Sequence, residues 1–211
     1  MYTLYYAPGT ASMVVHHALL EIGTPYRLEK VDFDQAAQRN PEYLRLNPLG
    51  RVPTLMIEGK PYFESAALLL ILAECHPEAG LAPPPGSESR AAWHQWIVFL
   101  ANAFGPLYRY WFYPSDLGTD GGSQASREAL RSQIETMWNT VDKHLASSGP
   151  YMLGEHFSGA DLLATMYMRW SRNMPKPATE WPALSRLADL VRARPAWARL
   201  CDLEGLEEWR S

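Results

Sequence analysis

The sequence predicts two domains of different class: an α/β domain with the element order β-α-β-α-β-β-α, followed by an all-helical bundle. Residues 1–82 carry the β-branched residues, Pro and Gly of strands and turns, whereas all eight Trp residues stand at or after Trp93. Between the two parts, the run Pro83 to Pro85 cannot continue a helix, because proline lacks the amide donor. We expect domains at 1–78 and 87–211, joined by a linker at 79–86.

Local patterns predict the elements of the first domain. Tyr2 to Tyr6 is aromatic and β-branched and stops before Pro8-Gly9, as a strand does at a turn. Apolar residues at helical spacing from Met13 to Ile22, with Gly23 behind them, predict a helix and its end. Further strands are expected at 26–33, 52–57 and 61–63, and further helices at 41–46 and 65–75.

The second domain shows helical periodicity throughout. Apolar residues recur at helical spacing in four segments, with Pro and Gly between them, and the helices are expected at 91–111, 127–145, 160–170 and 184–200. At the start of the third, Ser158 and Asp161 have the spacing of a capping box, which we interpret as a folding feature.

Charge and composition exclude several classes of function. The chain has 211 residues, a net charge of -4 and no dense block of Lys or Arg, so nothing favours nucleic acid or an anionic membrane as partner. No stretch approaches the ~18 apolar residues of a membrane span, and the opening lacks a signal peptide pattern. Cys75 and Cys201 belong to no metal motif. We expect a cytoplasmic protein with a small-molecule partner and no metal.

The turn between the first strand and the first helix is the first candidate site. A helix N-terminus offers free amide donors and the positive end of the helix dipole, which together favour an anion. The hydroxyls of Tyr6, Thr10 and Ser12 could donate to the same anion. Alternatively, Thr10 or Ser12 simply caps the helix.

Two further segments could bind a peptide. Pro53 has no amide for a β-ladder, and a cis Val52-Pro53 bond would turn the backbone of Val52 sideways, ready to pair with an extended peptide. The alternative is an ordinary edge-strand proline. Glu64 and Ser65 begin the next helix, where they could recognise an α-amino and carboxyl pair or act only as caps.

These three segments, in this order, carry a family resemblance. The stretches LYYAPGTAS, NPLGRVPTL and FESAALL resemble the glutathione transferase family, most of all its bacterial beta class, and the resemblance covers nearly the full length. It implies a thioredoxin-like first domain, glutathione as co-substrate and a homodimer.

The resemblance also implies roles for residues. Glutathione would lie along Val52 and Pro53, with its γ-glutamyl end at Glu64 and Ser65 and its polar groups near a rim formed by Arg51 and Gln35. The thiol would point at the turn, where the order of preference for its hydroxyl donor is Thr10, Ser12, Tyr6.

One departure from the beta-class pattern changes the expected chemistry. Members of that class usually carry a Cys immediately before the residue that corresponds to Ser12, and this chain has Ala11. Mixed-disulfide chemistry through a protein cysteine at the turn is therefore excluded. Thiolate stabilisation by a hydroxyl remains available.

A run of aromatic residues could line the pocket for the second substrate, although aromatic residues at helical spacing more often form the core between helices. More aromatic surface is present than one layer of helices needs, and it would suit an apolar electrophile. The expected pocket residues are Phe104, Tyr108, Trp111, Met166 and Trp170.

The leading hypothesis is a glutathione S-transferase that attacks a hydrophobic electrophile, with a role in detoxification. A second hypothesis keeps the site but assigns it peroxide reduction, dehalogenation or isomerisation. A third is a non-catalytic protein that binds glutathione or a hydrophobic ligand.

Overall fold

The computed structural model describes residues 1–118 and 122–210, which form two compact units. The first unit comprises Met1–Ala82 and the segment that begins at Val191, and the second is Pro83–Leu190. The first contains a four-stranded sheet with helices, and the long elements of the second are all α-helices. The predicted fold class, a thioredoxin-like domain followed by a helical domain, is confirmed.

The sheet of the first unit has the strand order β2-β1-β3-β4. Strand β1 pairs in parallel with β2, while β3 is antiparallel to both β1 and β4. Leu4 in β1 lies opposite Leu55 in β3, and neither side chain has exposed surface, so the pair marks the centre of the sheet. The strands are Tyr2–Tyr6, Tyr26–Lys30, Thr54–Ile57 and Lys60–Phe63.

Helix α1, Met13–Ile22, provides the crossover that two parallel strands require. Its Val14 and Ala18 are buried, and Gly23 ends it in the left-handed conformation at φ 72°, where glycine meets no steric penalty. Helices α2, Pro41–Leu44, and α3, Ser65–Cys75, complete the order β-α-β-α-β-β-α.

Two strands are shorter than predicted, for identifiable reasons. Strand β2 ends at Lys30 because the carboxylate of Asp32 accepts the backbone N–H groups of Asp34 and Gln35, which turns the chain away. Strand β3 starts at Thr54 because Pro53 has no N–H to offer a neighbouring strand.

The helices that follow differ from prediction in one place. We predicted one helix over 184–200, but the structure has two, because Pro195 holds Arg194 in an extended conformation with ψ 140°. None of the described helices combines the length and the apolar character that crossing a bilayer requires. The helices are α4 at Glu88–Phe112, α5 at Gln124–Ser148, α6 at Gly159–Trp170, α7 at Pro182–Arg192 and α8 at Pro195–Glu204.

Helix α8 belongs to the first unit, where it packs against α1. The guanidinium of Arg194, just before α8, donates two hydrogen bonds of 2.7 Å to the carboxylate of Glu21 in α1. Burial alone would raise the pKa of Glu21, but the hydrogen bonds from Arg194 and His17 outweigh it and lower the pKa to about 2.

We expect Glu21→Gln to lower the free energy of unfolding by about 2 kcal/mol at neutral pH. Because the folded-state pKa is depressed, this contribution is present above the ordinary pKa of Glu and is lost as the pH falls toward 2. Urea unfolding at a series of pH values measures it. Glu135→Gln, which breaks the partly exposed pair with Arg131, is the control and should cost less than about 0.5 kcal/mol at any pH.

Candidate active site

The turn after β1 has the hydrogen bonding and conformation of a type II turn. The carbonyl of Ala7 accepts the N–H of Thr10 at 3.3 Å, Pro8 takes the second position, and Gly9 takes the third with φ 68°. Helix α1 begins three residues after Thr10, so the turn presents its groups at a helix N-terminus.

Two hydroxyls meet inside this turn. Thr10 Oγ1 lies 2.7 Å from the carbonyl oxygen of Ala7 and 3.0 Å from Ser12 Oγ. Ser12 Oγ accepts the N–H of Ala7 at 3.2 Å and can donate to its carbonyl at 3.1 Å. Ser12 has no exposed surface and makes no side-chain cap on α1, whereas Thr10 is partly exposed. The capping interpretation therefore does not account for Ser12, whose hydroxyl ties the turn together.

Tyr6, the third predicted donor, has a different setting. Its ring packs edge-on against His16 of α1, with centroids 5.9 Å apart. Burial, and then the charge of Glu204, raises the pKa of the Tyr6 phenol above its ordinary value. Tyr6 is thus a weaker proton donor than an ordinary tyrosine.

The Val52-Pro53 bond is cis, and the sheet pairing of β3 starts only at Thr54. The backbone of Val52 therefore lies outside the ladder. The side chains of Val52 and Ala7 belong to one buried cluster, which also contains Val31 and Tyr43. The structure thus brings the predicted peptide-binding residue next to the turn that carries Thr10.

Sequence reasoning missed the residues that hold Val52 in place. Tyr43 donates its hydroxyl to the carbonyl of Arg51 at 2.6 Å, and Asn47 Nδ2 donates to the same oxygen at 2.9 Å. Gly50 has φ 59°, and a Cβ there would lie 2.8 Å from the carbonyl oxygen of Gln38, so no other residue fits. Asn47 and Gly50 stand inside the NPLGRVPTL stretch, so this motif could have indicated that they support Val52.

Ser65 joins the start of α3 to the turn, because its hydroxyl donates to the carbonyl of Ala11 at 2.9 Å. Glu64 is exposed and has φ 76°, a conformation that costs energy in any residue with a side chain. The side chains of Arg51 and Gln35 are also exposed. The backbone N–H of Gln35 donates to the carboxylate of Asp32 at 3.2 Å.

The five predicted pocket residues divide by exposure. Phe104, Tyr108 and Met166 are buried, and Tyr108 Oη accepts the indole N–H of Trp138 at 3.2 Å. Burial raises the pKa of Tyr108 far above its ordinary value. Trp111 and Trp170 are partly exposed at the ends of α4 and α6. The aromatic run therefore forms a core layer with an accessible edge.

No cluster of three or more His, Cys, Asp or Glu side chains able to hold a metal occurs in residues 1–118 and 122–210.

Comparison with known proteins matches both parts of the chain. Residues 1–74 match the family described as "Glutathione S-transferase, N-terminal domain", and residues 124–203 match "Glutathione S-transferase, C-terminal domain". The chain is 34% identical over 172 residues to glutathione S-transferase GST-4.5 of Xanthomonas campestris pv. campestris, covering 80% of this chain and 81% of that protein.

Two further proteins resemble the chain over nearly its whole length. Disulfide-bond oxidoreductase YfcG of Escherichia coli K12 is 31% identical over 212 residues, covering 93% of this chain and 92% of that one. A glutathione transferase homolog from Sulfitobacter, solved with bound glutathione, is 32% identical with a TM-score of 0.83, covering 96% of this chain and 98% of that one. With both family domains matched and the fold shared, the chain belongs to the glutathione S-transferase family.

Proposed function

We propose that the protein binds glutathione along Val52, stabilises its thiolate beside Thr10, and directs it at a hydrophobic electrophile. The observation that carries this proposal is the arrangement of the turn. A partly exposed hydroxyl, Thr10, stands at the N-terminus of α1, and a fully buried hydroxyl, Ser12, lies 3.0 Å behind it. Val52, whose backbone lies outside the ladder, belongs to the same buried cluster as Ala7 of the turn.

Thr10 is the best placed of the three predicted donors. If its hydroxyl rotates from the carbonyl of Ala7 toward a thiolate, Ser12 can donate to Thr10 Oγ1 and keep that oxygen satisfied. Ser12 itself is buried, so it supports Thr10 and does not reach the sulfur. Tyr6 faces His16 and has a raised pKa, which weakens it as a donor.

The free energies of the interactions available at the turn are large enough to lower the pKa of the glutathione thiol. A free thiol has a pKa near ~8.5, and each unit of lowering requires ~1.36 kcal/mol of preference for the thiolate. A helix N-terminus contributes ~0.3 to 1 kcal/mol and a hydrogen bond to a charged group ~1.5 to 3 kcal/mol. Together they lower the thiol pKa by one or two units, so no protein cysteine is needed at position 11.

The remaining predicted residues recognise the tripeptide. The cysteinyl backbone pairs with the N–H and carbonyl of Val52, which lies outside the ladder because the pairing of β3 starts at Thr54. Ser65 and Glu64 bind the γ-glutamyl end; the Ser65 hydroxyl donates to Ala11, which leaves its oxygen lone pairs and the adjacent backbone for the ligand. The exposed side chains of Arg51 and Gln35 lie at the rim.

The electrophile binds against the accessible edge of the aromatic layer. Trp111 and Trp170 offer partly exposed apolar surface, and the ring of the buried Tyr108 packs edge-on against Trp170 with centroids 5.7 Å apart. With an activated aryl chloride, the thiolate electron pair forms the new carbon–sulfur bond and chloride leaves. The thiol proton passes to solvent beforehand.

The test is to measure the ultraviolet absorbance of bound thiolate against pH, together with turnover of an activated aryl chloride. We expect glutathione bound to the wild-type protein to have a thiol pKa one to two units below that of free glutathione, and the aryl chloride to be consumed. Binding with an unshifted pKa and no turnover would support the non-catalytic alternative.

Reduction of disulfides is a second candidate, because the relative YfcG is named a disulfide-bond oxidoreductase. One glutathione thiolate attacks a disulfide sulfur and displaces one thiol product; a second attacks the mixed disulfide, which releases the other product and glutathione disulfide. Glutathione supplies both sulfurs, so Ala11 does not prevent this route. Faster turnover of hydroxyethyl disulfide than of the aryl chloride would favour it.

The homodimer, the cytoplasmic location and the role in detoxification also remain proposals that follow from the family. Edge strand β4 supports the dimer, because it exposes Tyr62 and Phe63 to 40% and 37%. Sedimentation velocity should show twice the mass of one chain.

A further inference from the structure

The carbonyl of Arg51 is held by two side chains from the segment before it. Tyr43 donates its hydroxyl to this oxygen at 2.6 Å, and Nδ2 of Asn47 donates to it at 2.9 Å. Both residues are buried. A carbonyl oxygen has two lone pairs, so these two hydrogen bonds satisfy it fully. The oxygen therefore points inward at Tyr43 and Asn47, although the side chain of Arg51 is exposed.

Each of the two donors is itself fixed by a further hydrogen bond. The Tyr43 hydroxyl has a single hydrogen, which goes to the Arg51 carbonyl, so Thr54 Oγ1 must donate to the Tyr43 oxygen, 2.9 Å away. Oδ1 of Asn47 accepts the backbone N–H of Leu49 at 3.1 Å, which sets the orientation of the Asn47 amide. A set of buried hydrogen bonds with every member satisfied holds one geometry firmly.

The fixed carbonyl sets the direction of the Val52 N–H. The Arg51–Val52 peptide is trans, and in a planar trans peptide the C=O and the N–H point to opposite sides. Because the oxygen points toward Tyr43 and Asn47, the N–H points away from them. A flip of this peptide would leave two buried donors without an acceptor, which is costly. The peptide is therefore held in one orientation before a ligand arrives.

We propose that Tyr43 and Asn47 are positioning residues for glutathione, because they aim the Val52 N–H at the cysteinyl carbonyl of the tripeptide. A donor that is fixed in advance needs no reorganisation on binding, so the pair strengthens the binding of glutathione. It acts on the backbone of the ligand and not on its sulfur, so the thiol pKa and the chemical step should not depend on it. This inference rests on the proposed function, since it concerns glutathione bound at Val52.

The experiment measures the binding of two ligands to variants of the full chain: glutathione, and S-methylglutathione, which has the same backbone but no thiol. Tyr43→Phe keeps the ring and removes one donor. We expect the dissociation constants of both ligands and the KM for glutathione to rise about 3- to 10-fold, the effect of one lost hydrogen bond. The kcat at saturating glutathione and the thiol pKa should keep their wild-type values. Asn47→Ala, which removes the other donor, should behave in the same way.

The matched control is Thr54→Val. It removes the other hydroxyl of the same buried pair but leaves both hydrogen bonds to the Arg51 carbonyl in place. It should therefore lower the free energy of unfolding about as much as Tyr43→Phe does, while the dissociation constants change less than about twofold.

Several outcomes would contradict the proposal. Wild-type affinity of Tyr43→Phe for both ligands would overturn it, as would an equal loss of affinity in Thr54→Val or a fall in kcat with an unchanged KM. Should Tyr43→Phe fail to fold, Asn47→Ala decides by the same criteria. A wild-type protein that binds both ligands without lowering the thiol pKa would overturn the proposed thiolate activation alone, because the affinities of the variants still decide the role of Tyr43. A wild-type protein that binds neither ligand would overturn both.

Discussion

Thr10→Val should raise the thiol pKa of bound glutathione by one to two units and lower kcat/KM about 10- to 100-fold. Valine keeps the shape of threonine and removes the hydroxyl, so the thiolate loses a hydrogen bond of ~1.5 to 3 kcal/mol. The measurement is thiolate absorbance against pH, with turnover of the aryl chloride on the same samples.

Three controls make this result specific. Thr10→Ser retains the hydroxyl and should stay within about threefold of wild type, since the loss expected from one misoriented hydrogen bond is below ~1 kcal/mol. Ser12→Ala should have a smaller effect than Thr10→Val on thiol pKa, because Ser12 acts through Thr10. Tyr6→Phe should leave the pKa in place. A pKa restored to that of free glutathione by Tyr6→Phe, with Thr10→Val unchanged, would move the donor to Tyr6.

Asp161→Ala should lower the free energy of unfolding by about 3 to 5 kcal/mol, the largest stability effect that we expect. The structure confirms the predicted capping box at the start of α6. Asp161 Oδ1 accepts the N–H of Met152 and Oδ2 accepts the N–H of Ser158, both at 2.7 Å. All three residues are buried, so alanine leaves two backbone donors without partners or water.

The matched control for Asp161→Ala is Ser123→Ala. Ser123 caps α5 by accepting the N–H of Ser126 at 3.2 Å, but this cap is exposed, so water can replace it. We expect a loss of about 1 kcal/mol in urea unfolding. Equal losses from the two variants would show that burial of the capping box adds nothing to its strength.

The sequence predicted the elements best where local chemistry decides them. Strand β1 and helices α1 and α3 have the expected bounds, because aromatic strand residues, a glycine stop and a polar helix start each act within a few residues. The single helix expected over 184–200 was wrong: apolar periodicity continues through Pro195, but the proline separates two helices. The end of β2 depends on an aspartate side chain folding back on the chain, which periodicity does not reveal.

The candidate site was predictable in its location but less so in its geometry. The turn, Val52-Pro53 and the start of α3 were identified from short motifs, yet Thr10 and Ser12 stand two positions apart and sequence alone could not say which hydroxyl is buried. In the aromatic run, exposure depends on which helix face packs inward, so buried Tyr108 and accessible Trp111 look alike in sequence. The hydrogen bond from the Gly9 N–H to the carboxylate of Glu204 could not be predicted, because nothing in the local sequence connects these two residues.

The membership of α8 in the first unit has a consequence for biosynthesis. Domains generally fold as they leave the ribosome, with N-terminal domains first. Here the strands and α1 emerge early, but the segment that contains Arg194 and α8, the helix that packs against α1, is translated after the entire second unit. The first unit therefore stays incomplete during synthesis. One flank of α1 remains uncovered until more than a hundred further residues have been added. A premature stop near residue 190 would leave that flank of α1 uncovered permanently.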